Sequence, residues 1–566
     1  MYGKKIITLI IFLLAFTVGC EKQQKSHNIT PESSHKISAD NLYTHGVIWT
    51  GVKGEQPKTL LATKNGKIVY VGNNNGEVQA SNTIDLKGAF MMPGFVDNHV
   101  HFFEGGAALA SVDLRDAKSP EEFTQRITDF AKKSESNKWI LNGNWDHENW
   151  NGELPHKNWI DKTTKSNPVF VIRLDGHMAL ANSAALAAAG INKDTQAPSG
   201  GTILKDANGE PTGILKGNAL NLVFSIIPQP SEQEILESYA LAQSHALSLG
   251  LTKVFAVTAN ETETTMLGNF RLAKQRGLMK LRTYVYTPIE HWKSLQQLVL
   301  TQGVGDDLLG WGGVKGFVDG SLGAATAWFH KPYSNNADTS GAPLTEPSAL
   351  KEMIAGAYNA DLRLAIHAIG DKAIDNVISN YKEIAGDNVK AARFRIEHFQ
   401  HPSLKAIKSI SQQKIIAAAQ PSHAVDDGRW AEASIGAERI KSTYAFRDIL
   451  DSGAILSFGS DWPVAPLSPL HGVYSAVTRQ TTDNLNPQGW LPEQKITVEE
   501  ALTAYTSANA YAGFEEDKYG TLEVGKQADM VVLADDPRAV SPKNIKNIKV
   551  MSTIINDEIV YSATSK

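Results

Sequence analysis

PGFVDNHVHF (residues 93–102) begins with a Pro-Gly turn, continues as an apolar run and ends in two histidines, His99 and His101. Residues two apart on a strand project to the same side, so both imidazoles would point the same way. The pair lies at the carboxyl end of the predicted strand, where parallel β/α barrels place their sites. Imidazole binds Zn²⁺, Fe²⁺ and Ni²⁺, so the pair indicates a metal site. In a chain with 16 histidines one His-x-His is weak evidence by itself, and its context has to decide.

Seven further apolar runs of high β propensity follow, separated by stretches of helical periodicity such as SEQEILESYALAQSHALSLG. Eight strands that alternate with helices predict an α/β fold in which a parallel sheet closes into a (β/α)₈ TIM barrel. The predicted barrel strands are residues 93–101, 253–258, 281–287, 313–320, 362–371, 394–400, 415–422 and 455–464.

Two β-rich segments flank the predicted barrel domain, which spans residues 91–517. Residues 41–90 and 518–566 alternate apolar and polar positions, and Asn65-Gly66 is a strong hairpin signal. Such segments can pair into one small β-sandwich, and two unrelated β appendages are the alternative. The stretch at about 105–229 is too long for one helix and contains the strand-like runs KWILNGNW and PVFVIRLDG. It predicts a subdomain inserted after the first barrel strand, over the barrel mouth.

Residues 1–19 have the pattern of a lipoprotein signal peptide: two lysines, an apolar run and TVGC. The motif resembles a bacterial lipobox, with Thr17 where leucine is usual, and the single cysteine of the chain, Cys20, stands at the lipidation position. The polar residues 20–40 predict a flexible tether. The expected location is the cell envelope, lipid-anchored to a membrane, on the outer membrane or facing the periplasm if the host has two membranes. An ordinary secretory signal is the alternative.

The composition limits the classes of function. A net charge of −5 over 566 residues does not indicate a nucleic-acid partner, which would require a basic excess. One cysteine allows neither an intramolecular disulfide nor a thiolate metal cluster. Any metal must therefore be held by His, Asp, Glu or a modified Lys. The expected partner is a small-molecule substrate, and a homo-oligomer is compatible with the composition.

Four more motifs place chemically active side chains at the carboxyl ends of predicted strands. Lys315 lies in GVKGFVDGSLG on the fourth strand, and His367 lies in LAIHAIGDKA at the end of the fifth. His398 ends the sixth strand in RIEHFQ, and Asp461 ends the eighth in LSFGSDWPV. Singly, these residues could be core histidines, half of a salt bridge or a turn cap. Independent core residues have no reason to collect at one rim, so together they predict a common site.

These motifs resemble the amidohydrolase superfamily, and more closely its YtcJ-like branch, which includes N-substituted formamide deformylases. The resemblance extends over nearly all of the chain after the signal peptide. The segments that carry it include RLDGHMALANSAALAAAGI, GEPTGILKGNA, VKGFVDGSLGAATAW, HAIGDKA, RIEHFQ, GSDWPVAPLSPLHGVYSAVTRQ and GTLEVGKQADMVVLADDP.

The resemblance implies a centre of one or two divalent ions, with Zn²⁺ expected. A divalent ion lowers the pKa of bound water to about 7 and polarises a scissile carbonyl, and a carboxylate beside it can shuttle protons. By this resemblance Lys315 would be N6-carboxylated and bridge the metals, and Asp461 would be both a metal ligand and the catalytic acid-base. The implied metal ligands are His99, His101, Lys315, His367, His398 and Asp461.

The surroundings of the centre are predicted less sharply. The resemblance puts His177 near the pocket, where it would donate to the substrate carbonyl as a catalytic and substrate-binding group, and a hydrogen-bonded structural histidine is the alternative. Asp319 shares the strand face of Lys315 and would orient a ligand or the substrate. His401, close after His398, is interpreted as structural. Five tryptophans could wall an apolar pocket, with Trp145 as the chosen substrate-binding residue: Trp145, Trp150, Trp328, Trp430 and Trp462.

The predicted activity is hydrolysis of a non-peptide C–N bond of a small molecule, an amide or an N-substituted formamide, by metal-activated water. The superfamily uses the same ligands for other hydrolyses, so a lactone or ester hydrolase and a deaminase are alternatives. A catalytically inactive, surface-anchored binding protein is a further alternative, but it would be expected to have lost a ligand or the aspartate.

Overall fold

The computed structural model describes residues 36–173, 176, 178–258 and 263–563. The predicted signal peptide, Cys20, most of the tether and His177 lie outside these described residues. Within the described part of the chain, no helix has the length and apolar character needed to cross a membrane.

The central domain is a barrel of eight parallel strands in sequential order. A parallel bridge between Val100 and Trp462 joins the first strand to the chain that follows the last, and so closes the sheet. The predicted TIM-barrel class is therefore confirmed. The strands are β1 (Phe95–Val100), β2 (Leu251–Val257), β3 (Arg282–Pro288), β4 (Leu309–Phe317), β5 (Arg363–Ala368), β6 (Arg395–His398), β7 (Ile416–Ala419) and β8 (Ile455–Phe458).

The barrel strands are apolar because both of their faces are covered. In β2, LTKVFAV, every residue is buried, as expected for a parallel strand between a filled barrel interior and a layer of helices. Helix starts are well marked: Ser231 and Glu234 form a capping box at the helix before β2. The helices around the barrel are Glu232–Ser248, Glu263–Gln275, Trp292–Gln302, Pro347–Asn359, Asp371–Ala385, Val389–Ala392, Leu404–Gln413, Pro421–Asp427, Ala431–Arg439, Phe446–Asp451, Pro469–Thr478, Val498–Ala504 and Ser507–Ala512.

The predicted strand bounds differ from the observed ones in two ways. The fourth strand begins at Leu309, four residues before the predicted 313, because its glycine-rich start hides a bulge at Gly312, whose φ of 116° favours glycine. The fourth to eighth strands all end two to six residues earlier than predicted. Beyond Ala368, Ala419 and Phe458 the chain turns into the loops over the barrel mouth.

Two small sheets pack beside the barrel. The five-stranded one combines both ends of the chain, because Phe90–Pro93 pairs antiparallel with Met530–Leu533. Buried residues of both sheets, including Leu61 and Met530, share one core. The predicted Asn65-Gly66 hairpin turn is confirmed by the pairing of Lys64 with Lys67. The strands are Ile37–Thr44, Leu60–Lys64, Lys67–Gly72 and Val78–Asp85 in one sheet, and Val47–Ile48, Phe90–Pro93, Met530–Leu533, Val550–Ile555 and Glu558–Ser562 in the other.

Two predicted boundaries need correction. The tether cannot extend to residue 40, because Ile37–Thr44 is already a strand that pairs with two others of its sheet. The barrel domain cannot begin at residue 91, because Phe90–Pro93 is a strand of the composite sheet rather than of the barrel. At residue 40 the polar composition did not indicate a strand. At residue 91 one continuous apolar run did not show that its first residues join a different sheet from the rest.

The stretch between β1 and β2 forms its own five-stranded sheet with its own apolar core. Trp145 is fully buried in that core, packs edge-to-face on Phe123 and donates from Nε1 to the Val171 carbonyl oxygen at 2.8 Å. Its predicted place in a substrate pocket is therefore wrong, because the indole is packed inside the core of the subdomain. The elements are Phe102–Leu109, Pro120–Ala131, Ile140–Trp145, Val169–Arg173, Met178–Ala181, Ser183–Ala188, Gly201–Lys205, Pro211–Gly217 and Asn221–Phe224.

Candidate metal centre

The seam at which the barrel closes is also where the first three candidate ligands meet. Backbone hydrogen bonds join the two sides of the seam: Asp461 N donates to His99 O, and His101 N donates to Trp462 O, each at 2.8 Å. The Asp461 Oδ1 atom lies 3.5 Å from His99 Nε2 and 3.1 Å from His101 Nε2. Barrel closure therefore converts residues 360 positions apart into one compact ligand group.

His99 is oriented by a carboxylate that the sequence analysis did not identify. Its Nδ1 donates to Glu397 Oε2 on β6, and its Nε2 lies 3.1 Å from Lys315 Nζ on β4. Both His99 and Glu397 are fully buried. Burial lowers the pKa of His99 to about 4, aided by the Lys315 charge. The imidazole is therefore neutral at pH 7 and presents Nε2 to the site, as a metal ligand held by a carboxylate does.

Glu397 is itself held by Arg395, two residues earlier on the same strand. The guanidinium donates to both carboxylate oxygens, from Nε at 2.8 Å and from Nη2 at 2.9 Å. Burial by itself would raise the pKa of Glu397, but the Arg395 charge and the His99 hydrogen bond lower it to about 2. The signal in the sequence was the R-x-E pair in RIEHF: two opposite charges on one face of an apolar strand are expensive unless they serve a site.

His398 ends β6 and is oriented in a similar way. Its Nδ1 lies 2.9 Å from Gln420 Oε1, so Nε2 is the nitrogen that remains for the site. Burial lowers its pKa well below the usual value. The φ angles of His398 and Asp461 are 71° and 59°. Non-glycine residues in this region cost about 1–3 kcal/mol each and cluster at functional sites.

His367 and Asp319 form a neighbouring pair at the ends of β5 and β4. His367 Nε2 lies 3.2 Å from the Gly320 carbonyl oxygen and 3.4 Å from Asp319 Oδ1, which leaves Nδ1 as the nitrogen for a metal. Asp319 is buried and accepts from the amides of Ile369, Gly370 and Trp328 at 2.7–3.0 Å. Its carboxylate is committed to these amides and to His367, so the expected substrate contact is wrong and the orienting role is supported.

Lys315 reaches the centre from β4, two residues before the carboxyl end of that strand. It is buried, and its Nζ lies over the Phe317 ring, 4.6 Å from the centroid. Burial lowers its pKa to about 8, against the opposing charges of Glu397 and Asp461. Within the described residues no carboxylate forms a salt bridge with it, and Asp319 faces backbone amides instead. The amine therefore lies among the imidazoles, partly in its neutral form near pH 8.

Asp461 and its surroundings fit a divalent cation. In the described part of the chain, Asp461 Oδ1 and His423 Nε2 are buried and have no hydrogen-bond partner. Burial would raise the pKa of Asp461, but His101, His99 and His398 hold it well below the usual value. A carboxylate oxygen without a hydrogen-bond partner, beside several imidazole nitrogens, is the donor set that Zn²⁺ and similar ions prefer.

Two groups of three ligand atoms can be formed here: His99, His101 and Asp461, and His398, His423 and Asp461. The sequence analysis missed His423, which lies in PSHAVDD just beyond β7. The signal was its place at the end of a barrel strand. Lys315, His367 and His398 lie at the same rim, but whether they bind a metal remains a prediction.

Of the remaining predicted residues, those that the structure describes lie outside this cluster. His177 is not among the described residues. His401 is buried, with Nδ1 3.0 Å from Thr443 Oγ1, and belongs to the packing behind β6. A cavity of about 380 Å³ opens between the loop after β4 and the segment after β7, and Tyr333 and Trp430 line it. Of the five tryptophans, Trp430 thus lines a cavity, whereas Trp145 does not.

The chain matches one protein family and is similar to several known proteins along most of its length. The family model described as "Amidohydrolase family" matches residues 82–561. "Protein LONG AFTER FAR-RED 3" of Arabidopsis thaliana is 36% identical over 94% of this chain and 93% of its own length. "Putative amidohydrolase YtcJ" of Bacillus subtilis is 29% identical over 84% of this chain and 90% of its own. "N-substituted formamide deformylase" of Arthrobacter pascens is 27% identical over 88% of this chain and 94% of its own.

Among solved structures, an uncharacterized metal-dependent hydrolase from Pyrococcus horikoshii superposes with a TM-score of 0.75 at 28% identity. The match covers 89% of this chain and 99% of that one. The similarity therefore extends over the barrel, the insertion and the terminal sheets together, rather than over the barrel alone.

Proposed function

Because this chain belongs to the amidohydrolase family, in the branch of YtcJ and the formamide deformylase, we propose that it hydrolyses a non-peptide C–N bond of a small molecule. The observation that carries the proposal is the group formed by His99, His101 and Asp461 at the barrel seam. It combines imidazole nitrogens with a buried carboxylate oxygen that has no hydrogen-bond partner among the described residues.

The residues that would hold a divalent ion, proposed to be Zn²⁺, are all at the carboxyl-end rim of the barrel. A bound ion would lower the pKa of a water molecule to about 7 and polarise the scissile carbonyl. The protein supplies orientation: Glu397 holds His99, Gln420 holds His398, and Asp319 with Gly320 holds His367. The proposed ligands are His99, His101, Lys315, His367, His398 and Asp461.

Lys315 is proposed to act as a carbamate. Its neutral amine would attack CO₂, forming an N–C bond as one C–O π bond breaks and releasing one proton, and the product would be a carbamate whose single negative charge is shared by two oxygens. A pKa of about 8 keeps part of the amine neutral at physiological pH, which this step requires. Burial next to His99, with Nζ to Nε2 at 3.1 Å, would direct the new oxygens towards the ligand group.

Asp461 is the proposed proton shuttle. Its carboxylate is ionised at neutral pH, because three imidazoles hold its pKa well below the usual value. It can take a proton from the attacking water as the water oxygen bonds to the carbonyl carbon. The same proton then goes to the leaving nitrogen as the C–N bond breaks, so the products are a carboxylic acid and an amine.

The substrate class is proposed to be N-substituted amides with a small acyl group, formamides first. Support comes from the relative named N-substituted formamide deformylase, which is similar over 88% of this chain. The cavity beside Tyr333 and Trp430 is partly apolar and could take the N-substituent.

A substrate panel tests this function. The purified, metal-analysed protein is incubated with N-benzylformamide, the matching acetamide, a lactone, an aryl ester and an aminopyrimidine, and acid and amine products are quantified. We expect turnover of the formamide or acetamide, lost on chelation and restored by Zn²⁺. The Asp461→Asn variant is the inactive control. Turnover of only the ester or lactone would indicate a lactone or ester hydrolase instead. Turnover of only the aminopyrimidine would indicate a deaminase.

The chain is also proposed to act at the cell envelope, anchored by a lipid on Cys20. The basis is the lipobox-like run at residues 17–20. The tether would place the catalytic domain outside the membrane core, where small amides reach it by diffusion.

A further inference from the structure

His423 lies opposite the first ligand group, on the other side of Asp461. It stands in the first turn of Pro421–Asp427, the helix that follows β7. Its Nε2 is 3.7 Å from Asp461 Oδ2. Its ring stacks parallel to that of His398, with an interplanar angle of 6° and centroids 6.5 Å apart. Its side chain is mostly buried, and Nε2 has no hydrogen-bond partner among the described residues.

The two oxygens of Asp461 face different histidines. Oδ1 is the atom near His99 and His101, at 3.5 and 3.1 Å. Oδ2 is the atom near His423. A carboxylate that divides its oxygens between two sets of imidazoles can bind one cation with each.

The distances allow one ion to touch both His423 and Asp461. Zinc–nitrogen and zinc–oxygen bonds are about 2.1 Å long, so two ligand atoms of one ion lie no more than about 4.2 Å apart. The separation of 3.7 Å between His423 Nε2 and Asp461 Oδ2 is within that limit. His398 is the third member of this group: ligand atoms of all three residues lie within 4.8 Å of one another, so a shift of less than about 1 Å would bring them to one ion.

The turn between β7 and the helix serves both histidines of this group. Gln420, the residue before the helix, is hydrogen-bonded to His398 Nδ1 and so directs His398 Nε2 towards the site. The backbone amide of His423 bonds to the Gln420 carbonyl oxygen at 3.1 Å. Next to His423, Ser422 Oγ lies 3.0 Å from His471 Nδ1, which joins the turn to the helix Pro469–Thr478. One short turn thus orients one ligand and supplies another.

We propose that His423 is a metal ligand, and that His398, His423 and Asp461 form a second cation position which Asp461 bridges to the first. The proposal rests on the metal dependence of the proposed function. It adds a ligand from the seventh strand end to the six ligands expected from the sequence, which were not divided between two ion positions.

Metal stoichiometry tests the proposal independently of turnover. The chelator-treated protein is titrated with Zn²⁺ by calorimetry, and bound metal is then counted by mass spectrometry after desalting. We expect two equivalents for the wild type and one for His423→Ala and for His398→Ala. His423→Gln, which keeps the size of the side chain, should also lose one equivalent. His330→Ala is the matched control, because His330 is exposed and pairs with Asp375, and it should keep two.

Thermal unfolding of each variant is followed by circular dichroism, so that a loss of metal caused by unfolding is recognised. If His423→Ala is unfolded, the result for His423→Gln is used in its place. Two equivalents in both His423 variants would overturn the assignment, even if turnover falls, because both metal positions would then be filled without His423. A single equivalent in the wild type, lost in His99→Ala but kept in His423→Ala, would overturn it while leaving the proposed function intact. No bound metal in the wild type would overturn both.

Discussion

Glu397 on the sixth barrel strand accepts a hydrogen bond from Nδ1 of His99 on the first, and thereby selects Nε2 as the nitrogen that His99 offers to the site. The two residues are 298 positions apart in the chain. The contact is fully buried, and Arg395 neutralises the carboxylate from its other side. The ligand geometry of His99 is therefore a property of the closed barrel.

Glu397→Gln should weaken metal binding without removing any ligand. The amide cannot accept from His99 as strongly, and it leaves Arg395 without its charge partner. We expect metal affinity to fall about 10–100-fold, as for other hydrogen-bonded partners of metal-bound histidines. Competition with a fluorescent chelator measures it. Glu383→Gln, which alters an exposed pair with Lys351, is the control and should leave affinity unchanged.

Lys315→Ala should empty at least one metal position. Short-chain carboxylates such as acetate should restore part of the activity by filling the space of the proposed carbamate. Carbon-13 NMR of wild-type protein grown with labelled bicarbonate should show a carbamate signal that the variant lacks. Wild-type metal content in Lys315→Ala would contradict the bridging role.

Asp461→Asn should reduce turnover far more than it reduces metal binding. The amide keeps one oxygen as a ligand but cannot take a proton from water. Because it has lost the second oxygen, the cation position shared with His423 is expected to weaken while the other is kept. Loss of general acid-base catalysis is worth about 10²–10⁴-fold in rate. Turnover and bound metal are measured on the same sample. A variant with near-normal turnover would assign the proton shuttle to another group.

Trp145→Ala should destabilise the protein, because the indole fills the core of the inserted subdomain. Removing a buried tryptophan costs about 3–5 kcal/mol, and the variant also loses the hydrogen bond to Val171 O. Thermal unfolding measures the change, and Trp145→Phe should cost less. Trp430, which lines the cavity instead, is the comparison: Trp430→Ala should alter KM with a smaller effect on stability. Unchanged stability with raised KM in Trp145→Ala would return Trp145 to the pocket.

The mature protein should begin at Cys20 and carry lipid there. Mass spectrometry of the N-terminal peptide from the expressing cell checks cleavage and modification together. Cys20→Ser should shift the protein from the membrane fraction. A soluble wild-type product cleaved at another position would remove the lipid anchor from the proposal.

Much of the architecture could be predicted because it depends on local patterns. Strand periodicity puts His99 and His101 on one side, and a parallel barrel brings the carboxyl ends of its strands to one rim. Those two rules were enough to predict that Lys315, His398 and Asp461 would meet. They act through chain direction and residue spacing, which a sequence displays directly.

What the tertiary structure alone decided is which side chains face each other across the barrel. The contact of Glu397 with His99, the approach of His423 to Asp461 and the burial of Trp145 depend on sheet register, barrel closure and the packing of the insertion. Each of these contacts joins segments that are far apart in the chain, and no local sequence pattern indicates that they meet. The sequence by itself therefore determined the fold class and the candidate ligands, and three-dimensional packing determined which atoms of those residues face the site.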